Sequence, residues 1–293
     1  MPRHCNFKRL VLGLHEKAPD PIIRLASELA GRLDLDLFGF FIEDRNLLGL
    51  AGLPFAREFR PFGGEWHPLD AEKVLRDIEL AAKNAERVFN EAVRGLQTAS
   101  RFEIVRGSAA ETMSAIARAG DIVAIFEPAS PAERVIHQFA YLQEAARRSA
   151  AALLVIPAQV ARVSGAVVAI ATTPHDPSIS AAYDLAQALE EELTIVETFR
   201  ESRPRQAGNE IASVVREVKH VSATSRSFAD ASAVATAFAG LKERLVVISR
   251  GAFDDDVASL IASTRRVPVL VIEIERADAL RQDEAAASDR AMG

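Results

Sequence analysis

The sequence predicts an α/β protein made of two tandem five-stranded parallel-sheet domains with helices on both faces. Three observations lead there. The chain of 293 residues is about twice the length of an ordinary domain. Short apolar runs alternate with stretches of helical periodicity, the signature of βαβ units and a parallel sheet. A segment near the start also recurs in the second half.

The recurrence appears when DPIIRLASELAGRLDLDLFGFFI, from Asp20, is laid over DPSISAAYDLAQALEEELTIVET, from Asp176, an offset of 156 residues. Identical pairs are Asp20/Asp176, Pro21/Pro177, Ile23/Ile179, Ala26/Ala182, Leu29/Leu185, Ala30/Ala186, Leu33/Leu189 and Leu37/Leu193. Unrelated chains would share roughly one or two identities over such a window at average residue frequencies. The apolar matches fall mostly at helical spacing, so they mark one buried face. Asp as cap with Pro at the first helical position is a sound helix opening in both copies.

The first copy opens with an apolar strand, Leu10 to Leu14, followed by the Asp20 helix and a strand from Leu37 to Ile42. Val74, Ile78, Ala81, Ala85, Val88, Ala92 and Leu96 predict a long helix. A strand at Phe102 to Val105, a helix at Ala109 to Ala119 and a strand at Ile122 to Phe126 follow. A helix at about Glu133 to Ser149 and a strand at Leu153 to Ile156 complete the copy. The second copy has strands at Ala166 to Ala171, Leu193 to Phe199, His220 to Ala223, Leu245 to Ser249 and Val269 to Ile274. Its helices follow Asp176 and lie near Ile211 to Val218, Ala231 to Ala239 and Asp256 to Thr264. The boundaries expected are 1–160 for the first domain and 161–276 for the second. The Ala-, Asp- and Arg-rich stretch 277–293 has no apolar face and reads as a disordered tail.

Composition excludes several classes. Hydrophobic residues make up 49% and charged residues 26%, which is ordinary globular usage. The formal net charge of −6 argues against a nucleic-acid partner, which would call for a basic face. No apolar run approaches the ~18 residues of a membrane span. The basic start, Met1 to Arg9, lacks the apolar region and cleavage site of a signal peptide. The single cysteine, Cys5, points to a reduced, cytoplasmic chain without disulfides. The six histidines show no metal-ligand spacing, so no metal site is expected.

The strand–helix order resembles the universal stress protein family, an adenine nucleotide alpha hydrolase-like fold. The residues that carry the resemblance are RGSAAETMSAIARAGDIVAI (106–125), RRSAAALLVIP (147–157) and TRRVPVLVIE (264–273). It implies an adenine-nucleotide-binding or regulatory domain of the stress response, often dimeric. It also implies that the two copies pair as an intramolecular pseudo-dimer. Nucleotide-binding members carry an acidic residue after strand one and a loop G-x2-G-x9-G-(S/T) after strand four. Glycines there let backbone N–H groups approach phosphate oxygens at a helix N-terminus.

This sequence departs from both features. Strand one ends on Leu14 and His15 in the first copy and on Ala171 and Thr172 in the second; Glu16 is the nearest carboxylate. After strand four the first copy has no glycine between Gly120 and Gly165, and Pro128 and Pro131 lack backbone donors. The second copy keeps Ser249-Arg250-Gly251, then places Asp254, Asp255 and Asp256 where they would repel phosphate, with a shortened run to the last strand. The expectation is therefore a universal stress protein-like, non-enzymatic binding or regulatory protein. Its bound cofactor would be none, ATP or AMP being the resemblance's implication that the loops argue against. The alternatives are a nucleotide-binding protein or ATP hydrolase with atypical loops, and a subunit of a larger assembly. No catalytic constellation stands out.

Candidate binding residues lie at the carboxyl ends of the strands, where parallel sheets present ligands. These are His15 after strand one, with Glu127 and Arg250 at equivalent places after strand four and Gly251 beside the latter. The three aspartates read best as a helix-opening cluster. Segment 44–69 carries Phe55, Phe59, Phe62 and Trp66 among Arg57, Arg60 and Gly63-Gly64, and the second copy lacks most of it. It reads as a long loop: a flap on its own domain, an interface for a homo-oligomer or protein partner through residues 55–66, or a ligand lid.

Overall fold

Alternating apolar runs become strands wherever both sides of the run can be covered, and here they build one continuous sheet. The computed structural model describes residues 7–14, 20–60, 64–127, 137–149, 151–198, 218–223 and 228–273. In chain order its strands are β1 (Arg9–Leu14), β2 (Asp36–Asp44), β3 (Arg57–Arg60), β4 (Glu65–Pro68), β5 (Ser100–Gly107), β6 (Asp121–Phe126) and β7 (Ala152–Ile156). β8 (Ala166–Ala171), β9 (Leu193–Glu197), β10 (Val218–Ser222), β11 (Glu243–Ser249) and β12 (Val269–Ile272) follow. The described helices are α1 (Asp20–Leu33), α2 (Arg45–Ala51), α3 (Ala71–Ala92), α4 (Ala109–Ile116), α5 (His137–Arg148), α6 (Pro177–Leu189), α7 (Ala231–Ala237) and α8 (Val257–Arg265).

The main sheet runs β10-β9-β8-β11-β12-β7-β6-β1-β2-β5. Each half has its first strand next to its second and fourth, its third at the outer edge and its fifth at the centre. Pairing within each half is parallel, while β12 and β7 pair antiparallel at the middle, Val269 with Val155 and Val271 with Leu153. The α/β class and largely parallel sheet are as the sequence predicts. The strands join edge to edge in ten, rather than in two sheets of five.

Two core layers sandwich the sheet. Alternation sends Leu10, Leu12 and Leu14 to one face, with α1, α3 and α6. Val11 goes to the other, with Met113 of α4, Val234 of α7 and the buried stripes of α5 and α8. Each layer draws residues from both halves, so the centre is buried like any domain interior. α1 also packs on α6, and Arg244 of the second half lies 3.8 Å from Glu28 of α1.

Local conformation echoes the 156-residue offset. α1 and α6 end on Asp34 (φ 56) and Glu190 (φ 58), both in the left-handed region. Leu35 N–H donates to Ala30 O, and Glu191 N–H to Ala186 O, each at 2.9 Å. The stretch joining the halves enters β8 through Gly165 (φ +128), where a Cβ would sit 2.0 Å from the Lys242 carbonyl oxygen, so only glycine fits.

Acidic residues at the amino ends of the two fourth strands are structural. Asp121 accepts from Arg9 at 2.6 Å and from Arg118 N–H at 2.9 Å. Glu243, fully buried, accepts from Arg265 at 2.7 Å. Both lie at the strand ends opposite those where parallel sheets bind ligands.

Segment 44–69 departs from the predicted long loop. It folds into α2 and a two-stranded antiparallel ribbon, β3–β4, with Phe59 opposite Trp66 and their rings 5.3 Å apart. Aromatic cross-strand pairs are what hold so short a ribbon together. Of the helix predicted near Ile211 to Val218, residues 211–217 lie outside the described residues and Val218 opens β10; the tail at 277–293 also lies outside them.

Candidate functional site

In a parallel sheet the crevice that takes ligands opens where strand order reverses, outside the carboxyl ends. Here it lies between β1 and β6 in the first half and between β8 and β11 in the second. Because β7 and β12 are antiparallel, the two crevices face opposite ends of the sheet.

His15 lies outside the described residues, as do Pro128 and Pro131. Glu127 is buried at the end of β6. Its N–H donates to Ile156 O at 2.8 Å, and the Arg250 N–H donates to Ile272 O at 2.7 Å. The two residues therefore occupy the same place in each half, at opposite ends of the molecule.

The β8–β11 crevice is occupied by the chain's own polar groups. The Asp176 carboxylate, which caps α6 ahead of Pro177, is buried there. It accepts from the Thr172 N–H at 2.8 Å, the Thr172 hydroxyl at 2.9 Å and the Ser178 N–H at 3.0 Å. The Ser249 hydroxyl, arriving on β11, donates at 2.5 Å. Burial alone would raise the carboxyl's pKa; the hydrogen bonds from Ser249, Thr172 and Ser178 outweigh it and hold the group below its ordinary value. The Asp-Pro opening identifies Asp176 as a cap in the sequence. Nothing local to either segment reveals that Ser249 would meet it 73 residues away.

Arg250 turns away from that crevice and crosses the seam. Its guanidinium donates to the carbonyls of Arg147 (2.6 Å), Ser149 (2.7 Å) and Ala151 (2.6 Å). These are carbonyls at and just beyond the end of α5, the groups a helix leaves unpaired. A Glu273 oxygen lies 3.6 Å away. Gly251 follows with φ +76, a left-handed turn that glycine adopts at no cost.

Arg147 answers from α5. It donates to Asp255 O at 2.5 Å and to the Asp256 carboxylate at 3.5 Å. The aspartates do open a helix, with Asp256 at the cap position of α8, but Asp256 makes no side-chain cap bond. Between these arms lies a cleft of about 190 Å³ lined by Arg147, Arg250, Gly251 and Asp254, over Val155 and Val271. The structure thus brings Arg250 and Gly251 together and leaves Glu127 apart. Among the described residues no group of three or more His, Cys, Asp or Glu side chains is placed to hold a metal. None of the described helices is long and apolar enough to cross a membrane.

Such an edge-to-edge pair of five-stranded, mostly parallel α/β halves defines a scaffold that presents loops at the carboxyl ends of its strands. No family model and no curated protein matches the chain. Among solved structures it is similar to a universal stress protein from Archaeoglobus fulgidus DSM 4304, with TM-score 0.55, 13% identity, and 92% of this chain and 98% of that chain covered. A functionally unknown protein from Pseudomonas aeruginosa PAO1 aligns with TM-score 0.49 and 15% identity, over 96% of this chain and 98% of that one. The likeness to the first shows the fold: this chain has the fold of a universal stress protein.

Proposed function

We propose that the chain is a non-enzymatic binding or regulatory protein of the stress response. In this reading it is an intramolecular pseudo-dimer of domains 1–160 and 161–276 in which the family's usual ATP binding is lost. One observation carries the loss. In the second half the Ser249 hydroxyl, at the end of β11 where the phosphate loop would begin, is spent on the buried Asp176 carboxylate, an anion that would repel a phosphate beside it. Arg250, the nearest cation on that loop, is committed to α5. The antiparallel seam and shared core layers support the pseudo-dimer, and the single cysteine supports a cytoplasmic setting.

Thermal unfolding with ATP, ADP and AMP tests the loss. A ligand at a hundredfold its Kd stabilises the native state by about 2.7 kcal/mol. We expect no saturable rise in Tm with any of the three; a saturable rise with ATP overturns the proposal.

The aromatic ribbon supports self-association through residues 55–66. Phe55, Phe59 and Trp66 are 75%, 51% and 60% exposed, an unusual concentration of apolar surface. Truncating an aromatic anchor costs about 2 kcal/mol or more of association. Trp66→Ala should therefore sediment as a monomer at concentrations where the parent associates. Identical sedimentation of the two would rule the interface out.

A further inference from the structure

We propose that the free edge of β5 pairs antiparallel with the β5 edge of a second copy, joining the two sheets about a two-fold axis. This rests on the self-association reading and deepens it, because it supplies the backbone contact beside which the aromatic ribbon stands. α2 leaves β2 beyond Asp44, which is level with Gly107 at the end of β5. α3 then returns and sets Phe89 5.5 Å from Phe102 of β5. The ribbon therefore belongs to the connection that flanks the edge strand, at the outer end of the first half.

The backbone offers the contact. β5 ends the sheet. The Leu37 N–H donates to Ala99 O at 2.8 Å, and parallel register runs unbroken from Leu37 with Ser100 to Asp44 with Gly107. Alternate residues of such a strand turn their N–H and C=O groups towards the neighbour. Arg101, Glu103 and Val105 spend theirs on β2, so those of Ser100, Phe102, Ile104 and Arg106 point outward. A row of this kind is a template for another strand, and native edges are blunted by shortness, lysine, proline or a bulge. β10, at the opposite edge, is five residues long and carries Lys219. β5 is eight residues long and has none of these devices. Near its middle Ile104 is 46% exposed.

Charge selects the occupant and the register. Backbone bonds between two copies form only between outward residues, which leaves three central registers. Centring on Glu103 sets two like carboxylates opposite each other, which is destabilising. Centring on Ile104 leaves Glu103 opposite Val105 and Arg101 opposite Gly107. Centring on Phe102 places Arg101 of each copy opposite Glu103 of the other, in the closer, non-hydrogen-bonded positions. Arg101 and Glu103 already form an ion pair within their own strand, but the Arg101 side chain is 74% exposed and its five donors can serve a second carboxylate. Two copies thus close their four charges into one ring. On the other face Phe102 meets its own counterpart and Ile104 is covered. Complementarity of a strand to itself is what a two-fold interface requires, and it favours a second copy over an unrelated extended peptide.

The test is sedimentation of the full chain at low ionic strength, where exposed charges are least screened. Arg101→Glu and Glu103→Arg each bring like charges together in the paired strands, and each should weaken dimerisation about tenfold or more. An equimolar mixture of the two variants should associate as the parent does, because every opposed pair in a mixed dimer is attractive again. Mixing cannot repair a folding defect in either variant. Weakening without recovery in the mixture overturns the pairing. A parent that stays monomeric overturns both the pairing and the ribbon interface. Dissociation by Trp66→Ala with no effect of the charge variants overturns the pairing alone. Recovery in the mixture with no effect of Trp66→Ala supports the pairing and overturns the ribbon interface alone.

Discussion

Asp176→Ala should destabilise the protein by about 3 kcal/mol in urea unfolding near neutral pH. Removing an N-cap acceptor costs about 1 kcal/mol. Leaving buried donors without a partner costs about 1–3 kcal/mol more. Asp176 serves both purposes, because Thr172, Ser178 and Ser249 all donate to it in the interior. The same carboxylate makes stability depend on pH. Its folded pKa lies below the ordinary value of 3.8, so the ionised form favours folding. That contribution is fully present above the unfolded pKa and is lost as pH falls through the folded one. Stability of the parent should drop across this acid window. Asp176→Asn, which does not titrate, should show a shallower acid limb. Parallel acid limbs would show that Asp176 is not the group responsible. Ser249→Ala, which removes one donor, should bring the Asp176 pKa back up towards its ordinary value in an NMR titration.

Arg250→Ala should cost about 2–4 kcal/mol, because three carbonyls around the end of α5 lose a charged donor at once. The neighbouring ion pair is a minor contributor. Glu273 is half-exposed and 3.6 Å distant, and such pairs contribute about 0–1 kcal/mol. Glu273→Gln should therefore leave the urea midpoint nearly unchanged while Arg250→Ala shifts it strongly. Arg250→Lys should recover only part of the loss, since an ammonium cannot reach three carbonyls with a planar fork. Equal effects of Glu273→Gln and Arg250→Ala would assign the stabilisation to the ion pair instead.

The framework strands and helices were legible in the sequence because periodicity reports burial directly. Ile23, Ala26, Ala30 and Leu33 line one buried or partly buried stripe of α1, as their spacing requires. The offset was also legible, though not constant. Leu10 pairs with Leu37, while Val167 pairs with Leu193, so β8 stands 157 residues from β1. The left-handed residues Asp34 and Glu190 were hidden, since neither is the glycine that usually announces such a turn. The ribbon in 44–69 was hidden because four-residue strands leave too short an alternation to read. For the site, position was legible and purpose was not. Arg250 was placed correctly after β11, yet its direction is set by the antiparallel meeting of β7 and β12, a contact between segments about 115 residues apart that no local pattern encodes. Asp176 was legible as a cap and hidden as the centre of a network for the same reason.

The seam between β7 and β12 lies within one polypeptide, and this changes what its residues are free to become. Across a two-fold axis between identical chains every substitution occurs twice, and each surface must complement itself. Within one chain each change occurs once. The equivalent positions after the two fourth strands hold Glu127 and Arg250, opposite charges that a symmetric pair could not display. The covalent link also makes meeting of the halves a unimolecular event, set by effective concentration and independent of dilution. A lone arginine can then tie one helix end to the other half, with no matching arginine required at the opposite pole.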